Sequence, residues 1–306
     1  PFSHALENSF VKNINHERVS QLFFNELNDV FGGALDNAIA IFNDNHPKKF
    51  LHRLVSSQLD MDRLDYLKRD SFFTGVSEGV VSNQRIIKMF AISNDEIVIK
   101  EKGIYSIEKF IIARRLMYWQ VYLHKTVLSA EFLLEKIILR ASILLKSGEN
   151  LFVTDAIKLF LSNDINENKL SESSVLKSFA SLDDYDVLSC VKNWVFSGDR
   201  VLCKLCEMLV NRTLPKVRIS STSFSEQEII DLRMKHQKKL GVNLNDMEYF
   251  VFSEDMENNA YNPKKDEIKI LFRDGTLKDI IDASDNLNIR ALSNTVKKYY
   301  LFAPYF

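Results

Sequence analysis

Residues 59 to 71 read LDMDRLDYLKRDS, four aspartates and three cationic side chains in thirteen positions. On a helix, Asp62, Asp65, Tyr66, Arg69 and Asp70 stand at i, i+3, i+4, i+7 and i+8 and share one face, while Leu64 and Leu67 turn away from it. A solvated face is one reading of that pattern. The other is one wall of a pocket, because Tyr66 sits among the acids and the apolar FFTG follows. Half-buried carboxylates stay charged only beside cations or a metal.

Two further sets of residues carry chemistry. Ser3, His4, Glu7 and His16 lie in the first sixteen positions, with His4 and Glu7 one helical turn apart, so that a carboxylate can orient an imidazole for general acid–base work. Packed or surface histidines are the alternative. Residues 113 to 125, ARRLMYWQVYLHK, place Arg114, Tyr118, Tyr122 and Lys125 at i, i+4, i+8 and i+11 of one helix stripe. Cations alternating with aromatic rings can clamp a phosphate and stack on a sugar or base. An aromatic core stripe with its cations reaching out to water has the same spacing.

The elements that must position these residues are mostly helical. The chain has 306 residues, enough for one large domain or two smaller ones. Its 46% hydrophobic and 26% charged residues describe a soluble globular protein. Forty Lys and Arg against 41 Asp and Glu leave a net charge of −1, which argues against bulk binding to nucleic acid or an anionic membrane. No apolar run approaches the ~18 residues of a membrane span, and no signal-peptide pattern opens the chain. Three cysteines cannot build a disulfide framework and suit a cytoplasmic location. The Cys203/Cys206 pair, on a predicted helix without a second pair, reads as packing rather than a zinc site.

Residues 16 to 31 predict an amphipathic helix with Val19, Leu22, Phe23, Leu27, Val30 and Phe31 on its apolar stripe. One or two helices are expected from 46 to 73, with Pro47 at a helix start. A hairpin is expected over 95 to 105, around Lys102-Gly103. A long helical region without Pro or Gly should run from 106 to 147 and stop at Gly148, with more helices at 153 to 163 and 173 to 214. After about 215 the texture turns to strand-like runs, EYFVFSED, EIKILFRDG and YYLFAPYF. The expected fold class is therefore mainly α: an all-helical body over 1–215 and a small α+β unit over 216–306. The chain opens on Pro1 without a methionine, which fits either processing or a native protein that continues upstream.

Taken together, PFSH with the following Glu, then HE, LDMDRLDYLKRD and ARRLMYWQVYLHK resemble the HD-domain phosphohydrolases, in the branch of the deoxynucleoside triphosphate triphosphohydrolases. The resemblance runs from Pro1 to about Pro215 and takes in LDDYDVLSCVKNW and LVNRTLPKV. It implies a divalent metal (Mn, Mg, Fe, Ni or Zn) held by His…His-Asp…Asp, with Asp62 as the last ligand and the others expected upstream of Pro1. It also implies that His4, beside Glu7, protonates the leaving group or positions water at the α-phosphate, and that His16 helps to neutralise the site. Arg63, Arg114 and Lys125 would hold phosphate oxygens, Tyr66 and Asp70 would meet the sugar, Tyr122 would stack on the nucleoside, and Tyr118 lies on the same substrate-facing stripe. Asp60 and Asp65 are expected to pair with arginines. The implied activity is hydrolysis of a dNTP to deoxynucleoside and triphosphate by a homodimer or homotetramer. A nucleoside monophosphate phosphatase or other phosphoesterase is the alternative, and a non-catalytic nucleotide-binding or assembly protein is the alternative of another class.

Overall fold

A computed structural model describes residues 9–11 and 13–304. Two compact units divide the chain, and both are discontinuous. The first is built from the chain up to Gly33, Lys125–Asp255 and the chain from Lys298 onward; the second is built from Ala34–His124 and Met256–Lys297.

The first unit begins with α1 (His16–Val30), capped by the Asn15 side chain on the Arg18 N–H. The second unit follows with α2 (Asp36–Phe42), α3 (Phe50–Val55), α4 (Met61–Thr74), α5 (Asn83–Met89), β1 (Phe90–Ser93), β2 (Glu96–Lys100) and α6 (Ile104–Met117). The chain then returns to the first unit with α7 (Lys125–Lys146), α8 (Asp155–Ser162), α9 (Glu167–Leu170), α10 (Ser173–Ala180), α11 (Asp184–Trp194), α12 (Arg200–Val210), β3 (Lys216–Ser220) and α13 (Glu226–Leu240). Last come β4 (Phe252–Asn258), β5 (Lys269–Leu271), β6 (Leu277–Asp279), α14 (Ile280–Ala283), α15 (Leu287–Leu292) and β7 (Val296–Ala303). The fold is mainly α with two small sheets, as the sequence implies.

In the first unit, Leu133, Ile137, Ile138 and Ala141 of α7 bury one stripe against Phe160, Leu161, Val191, Trp194, Leu202 and Leu205. Burial at this scale, about 25 cal/mol per Å² of apolar surface, is what holds the helices together. The Trp194 indole N–H donates to the Phe152 carbonyl at 2.8 Å, so its one polar group is satisfied inside the core. In the second unit, Leu64 and Leu67 of α4 meet Ile107, Phe110 and Ile111 of α6 and Ile270, Ile280 and Ile289 from the C-terminal part of the chain.

The sheets explain why the units ignore chain order. β1 and β2 form an antiparallel hairpin, β2 pairs in parallel with β5 through Ile99↔Ile270, and β5 pairs antiparallel with β6. Strands from 90–100 and 269–279 therefore share one sheet, and the division expected at 215 does not separate compact units. In the other sheet, of order β3-β7-β4, β7 takes the centre, with Tyr300, Leu301 and Phe302 buried. Residues 299–303 of the apolar C-terminal run thus lie in the central strand of a sheet.

Several local expectations are corrected. The hairpin turns at Asn94-Asp95, with φ of 52° and 61°, the left-handed pair that a tight hairpin requires; Lys102-Gly103 belongs to a short 3₁₀ turn. Pro47 lies in the bend before α3 rather than at its start. On α1, Leu22 is buried, while Leu27, Val30 and Phe31 are exposed, so only the first half of the stripe packs. The long helix from 106 to 147 is broken. A π-turn occupies Tyr118–Tyr122, the chain leaves the helix at Leu123, and α7 starts afresh at Lys125. Four of the five residues in YWQVY are aromatic or β-branched, and such side chains are crowded against the preceding helical turn. Gly148 ends α7 with φ 89°, and Glu149 N–H reaches back to the Leu144 carbonyl at 3.0 Å.

Candidate functional site

The acidic stretch forms α4. Asp60 is its N-cap and accepts from the Arg63 N–H at 2.8 Å. Leu64, Leu67 and Ser71 are buried, and Gly75 closes the helix in the left-handed region at φ 72°. Tyr66 and Asp70, one turn apart, face a second element, the end of α6 and the π-turn after it. The Tyr122 hydroxyl donates to Asp70 Oδ2 at 2.7 Å. The Tyr66 and Tyr122 rings meet edge to face at 5.8 Å, and Tyr118 and Tyr122 do the same at 5.2 Å. The Arg114 guanidinium lies 5.8 Å from the Tyr118 ring centroid and donates to the Ala260 carbonyl at 3.2 Å. A π-turn shifts the register by one residue, and single π-turns recur at sites that must aim side chains; here the turn carries Tyr118 and Tyr122 onto Tyr66.

Electrostatics give this cluster its character. Burial, and next the neighbouring Tyr118, push the Tyr66 phenol above its ordinary range, while the charges of Arg114 and Arg63 pull it back. Burial and the bond to Asp70 push Tyr122 up as well. Both phenols are therefore neutral near pH 7 and act as hydrogen-bond donors, not as bases. Three guanidinium groups among the described residues are left incomplete, one of them at a terminal nitrogen of Arg115. The Nε of Arg63 and the Nε of Arg114 are buried without a hydrogen-bond partner. A cation with unmet donors gains from an oxyanion partner, which would meet the guanidinium at its terminal nitrogens because each Nε is itself closed to water.

The second unit thus brings together Arg63, Tyr66, Asp70, Arg114, Tyr118 and Tyr122. Asp62 also stands on α4, at its first turn, but it is exposed. His16 at the start of α1 and Lys125 at the start of α7 are exposed residues of the first unit. Lys125 does not continue the stripe of Arg114, Tyr118 and Tyr122, because the helix ends between them. His4 and Glu7 lie outside the described residues. Among the described residues no three His, Cys, Asp or Glu side chains are grouped as a metal would need. One exposed carboxylate does not make a metal centre, so these residues do not fit the implied ion by themselves.

The expected structural role of the remaining acids holds, with different partners for each. Asp65 pairs with Arg69 at 2.7 Å, and Asp60 pairs with Arg63. Sequence reasoning missed Gln58. It is buried, and its side chain bonds to Asn262 and Asp266, 204 and 208 residues away, a separation that leaves no trace in local spacing.

A mainly helical fold with an arginine–tyrosine cluster beside a capped acidic helix defines a class that the comparisons make specific. The HD-associated region model matches residues 81–150, which span α5 to the end of α7 and include Arg114, Tyr118, Tyr122 and Lys125. The crystal structure of a phosphohydrolase from Bacteroides thetaiotaomicron superposes with a TM-score of 0.94 at 47% identity, covering 100% of this chain and 76% of that one. An uncharacterised Bacillus subtilis protein, YwfO, is 32% identical over 92% of this chain. A Dictyostelium discoideum protein named as a deoxynucleoside triphosphate triphosphohydrolase SAMHD1 homolog is 30% identical over 49% of this chain and 32% of its own length. The chain belongs to the HD-domain phosphohydrolase family. It spans 65% of the length of the Bacillus subtilis relative. No helix among the described residues is long and apolar enough to cross a membrane.

Proposed function

We propose that this chain supplies the nucleotide-holding wall of a divalent-metal-dependent phosphohydrolase that converts a dNTP to deoxynucleoside and triphosphate. The observation that carries this reading is the pair of incomplete guanidinium groups, Arg63 and Arg114, placed around Tyr66 and next to a Tyr118–Tyr122 ring pair. Arg63 and Arg114 take phosphate oxygens, each with a planar fork that suits them better than a lysine would. Tyr122 and Tyr118 offer ring faces to the nucleoside. Asp70, already an acceptor for the Tyr122 hydroxyl, accepts from a sugar hydroxyl, and the neutral Tyr66 donates beside it. The name of the Dictyostelium relative supports the choice of substrate. The metal, with Asp62 as one ligand, would supply charge at the phosphate and an activated water. His4, Glu7, His16 and Lys125 complete the proposed machinery on the resemblance alone, and the working form is proposed to be a homodimer or larger.

The test uses the full-length protein with Mn²⁺ and each of the four dNTPs, with products separated by ion exchange. Deoxynucleoside and intact triphosphate are the expected products. Asp62→Asn should lower both metal content and turnover, since a neutral amide is a poorer ligand for a hard cation. Stepwise release of phosphate from all four would refute the triphosphohydrolase reading in favour of a phosphatase.

A further inference from the structure

Arg63 is held in place by contacts on the loop before its own helix. Its guanidinium donates to the Ser57 carbonyl at 2.6 Å and pairs with Asp60, which is 2% exposed. The Ser57 N–H in turn donates to Asp60 at 3.3 Å. The loop Ser57–Asp60 is therefore the seat of Arg63, and the loop has no regular secondary structure to fix it.

What fixes it is Gln58, 7% exposed. Its Oε1 accepts from the Asn262 N–H at 2.7 Å, and its Nε2 donates to the Asn262 carbonyl at 2.8 Å and also to the Asp266 carbonyl. Its backbone N–H donates to Asp266 Oδ2 at 3.0 Å, while Asp266 Oδ1 pairs with Arg53. Every one of these bonds leads to the segment Asn262–Asp266, and the donors and acceptor of the amide are all engaged. A buried polar group so fully satisfied defines a single loop conformation, because any other leaves several groups unpaired.

We infer that Gln58, clasped to Asn262–Asp266, is a positioning residue for Arg63 and so for phosphate binding; this rests on the reading of Arg63 as a phosphate holder. Buried and with its amide fully engaged, Gln58 acts through the loop. It sets where the Ser57 carbonyl and the Asp60 carboxylate stand, and through them the direction of the guanidinium. Loss of the clasp lets Arg63 follow a mobile loop, which weakens its hold on an oxyanion without removing its charge.

The probe is inorganic tripolyphosphate, as an inhibitor of the full-length enzyme acting on whichever phosphoester it turns over. Gln58→Ala should weaken that inhibition roughly tenfold, the equivalent of about one charge-assisted hydrogen bond. KM should rise in step while kcat changes far less; a purely structural defect would lower the active fraction and leave KM in place. Asp266→Ala, which opens the clasp from the other side, should give the same split and serves if Gln58→Ala does not fold. In an Arg63→Ala background, Gln58→Ala should add no further loss. If Arg63→Ala weakens inhibition but Gln58→Ala and Asp266→Ala do not, or if their effects add fully to it, the positioning role is overturned while the phosphate reading stands. If Arg63→Ala itself leaves inhibition unchanged, the phosphate reading falls first and the positioning role with it.

Discussion

Two aspartate–arginine pairs on α4 look alike in sequence and should differ severalfold in their contribution to stability. Asp60→Ala removes the acceptor that caps the helix, worth about 1 kcal/mol. It also strips the partner from Arg63, whose side chain is 29% exposed while that of Asp60 is 2% exposed. Breaking a fully buried pair costs about 3–5 kcal/mol, and the access of Arg63 to water reduces this to about 1–2. The expected total is about 2–3 kcal/mol, or a fall in Tm of about 3–5 °C for a chain of this size. Asp65→Ala breaks a pair whose members are 60% and 62% exposed; such i,i+4 pairs contribute about 0.3–0.5 kcal/mol, near 1 °C. Asp60→Asn keeps the cap and should fall between the two. Thermal unfolding followed by circular dichroism, at low and high salt, reads all three. Salt should erase the Asp65 effect and leave most of the Asp60 effect. An Asp65→Ala penalty equal to that of Asp60→Ala would refute the reasoning, as would an Asn variant no better than Ala.

Burial, with Lys235 and Lys239 nearby, holds the His236 imidazole below its ordinary range. The fold thus favours the neutral ring, the unfolded chain takes up the proton first, and the stability contribution is complete above about pH 6.5 and is lost as the pH falls below it. His236→Gln should therefore flatten the decline in unfolding midpoint between pH 7 and pH 5; an unchanged slope would count against it. The proposed homo-oligomer should show in light scattering as at least twice the mass of the full-length chain, and an active monomer at micromolar concentration would remove it.

Within single elements the sequence is a good guide. The i, i+4 spacing of Tyr66 and Asp70, the cap at Asp60 and the stop at Gly148 are local matters of helix geometry and backbone freedom, and each is written within a few residues. The same kind of signal marks α13, where SEQE offers Ser225 as a cap for the Glu228 N–H, although the strand-like runs around it draw attention away. The Asn94-Asp95 turn was likewise readable as two residues that tolerate positive φ. The π-turn at Tyr118–Tyr122 was not, because its aromatic residues suit a helix as well as they crowd one. Beyond the single element the sequence falls silent. That Asp60 is buried and Asp65 is not depends on what packs over each. That β2 pairs with β5, and that Gln58 is clasped to Asn262–Asp266, depends on chain segments roughly 170 to 210 residues apart meeting in one unit. Residue types and their spacing suffice for the helical class, the family motif and the face on which Asp62, Tyr66 and Asp70 stand. Which charges are desolvated and which loop seats Arg63 follow from packing between distant segments, because burial and long-range hydrogen bonds are properties of the surroundings and not of the residue.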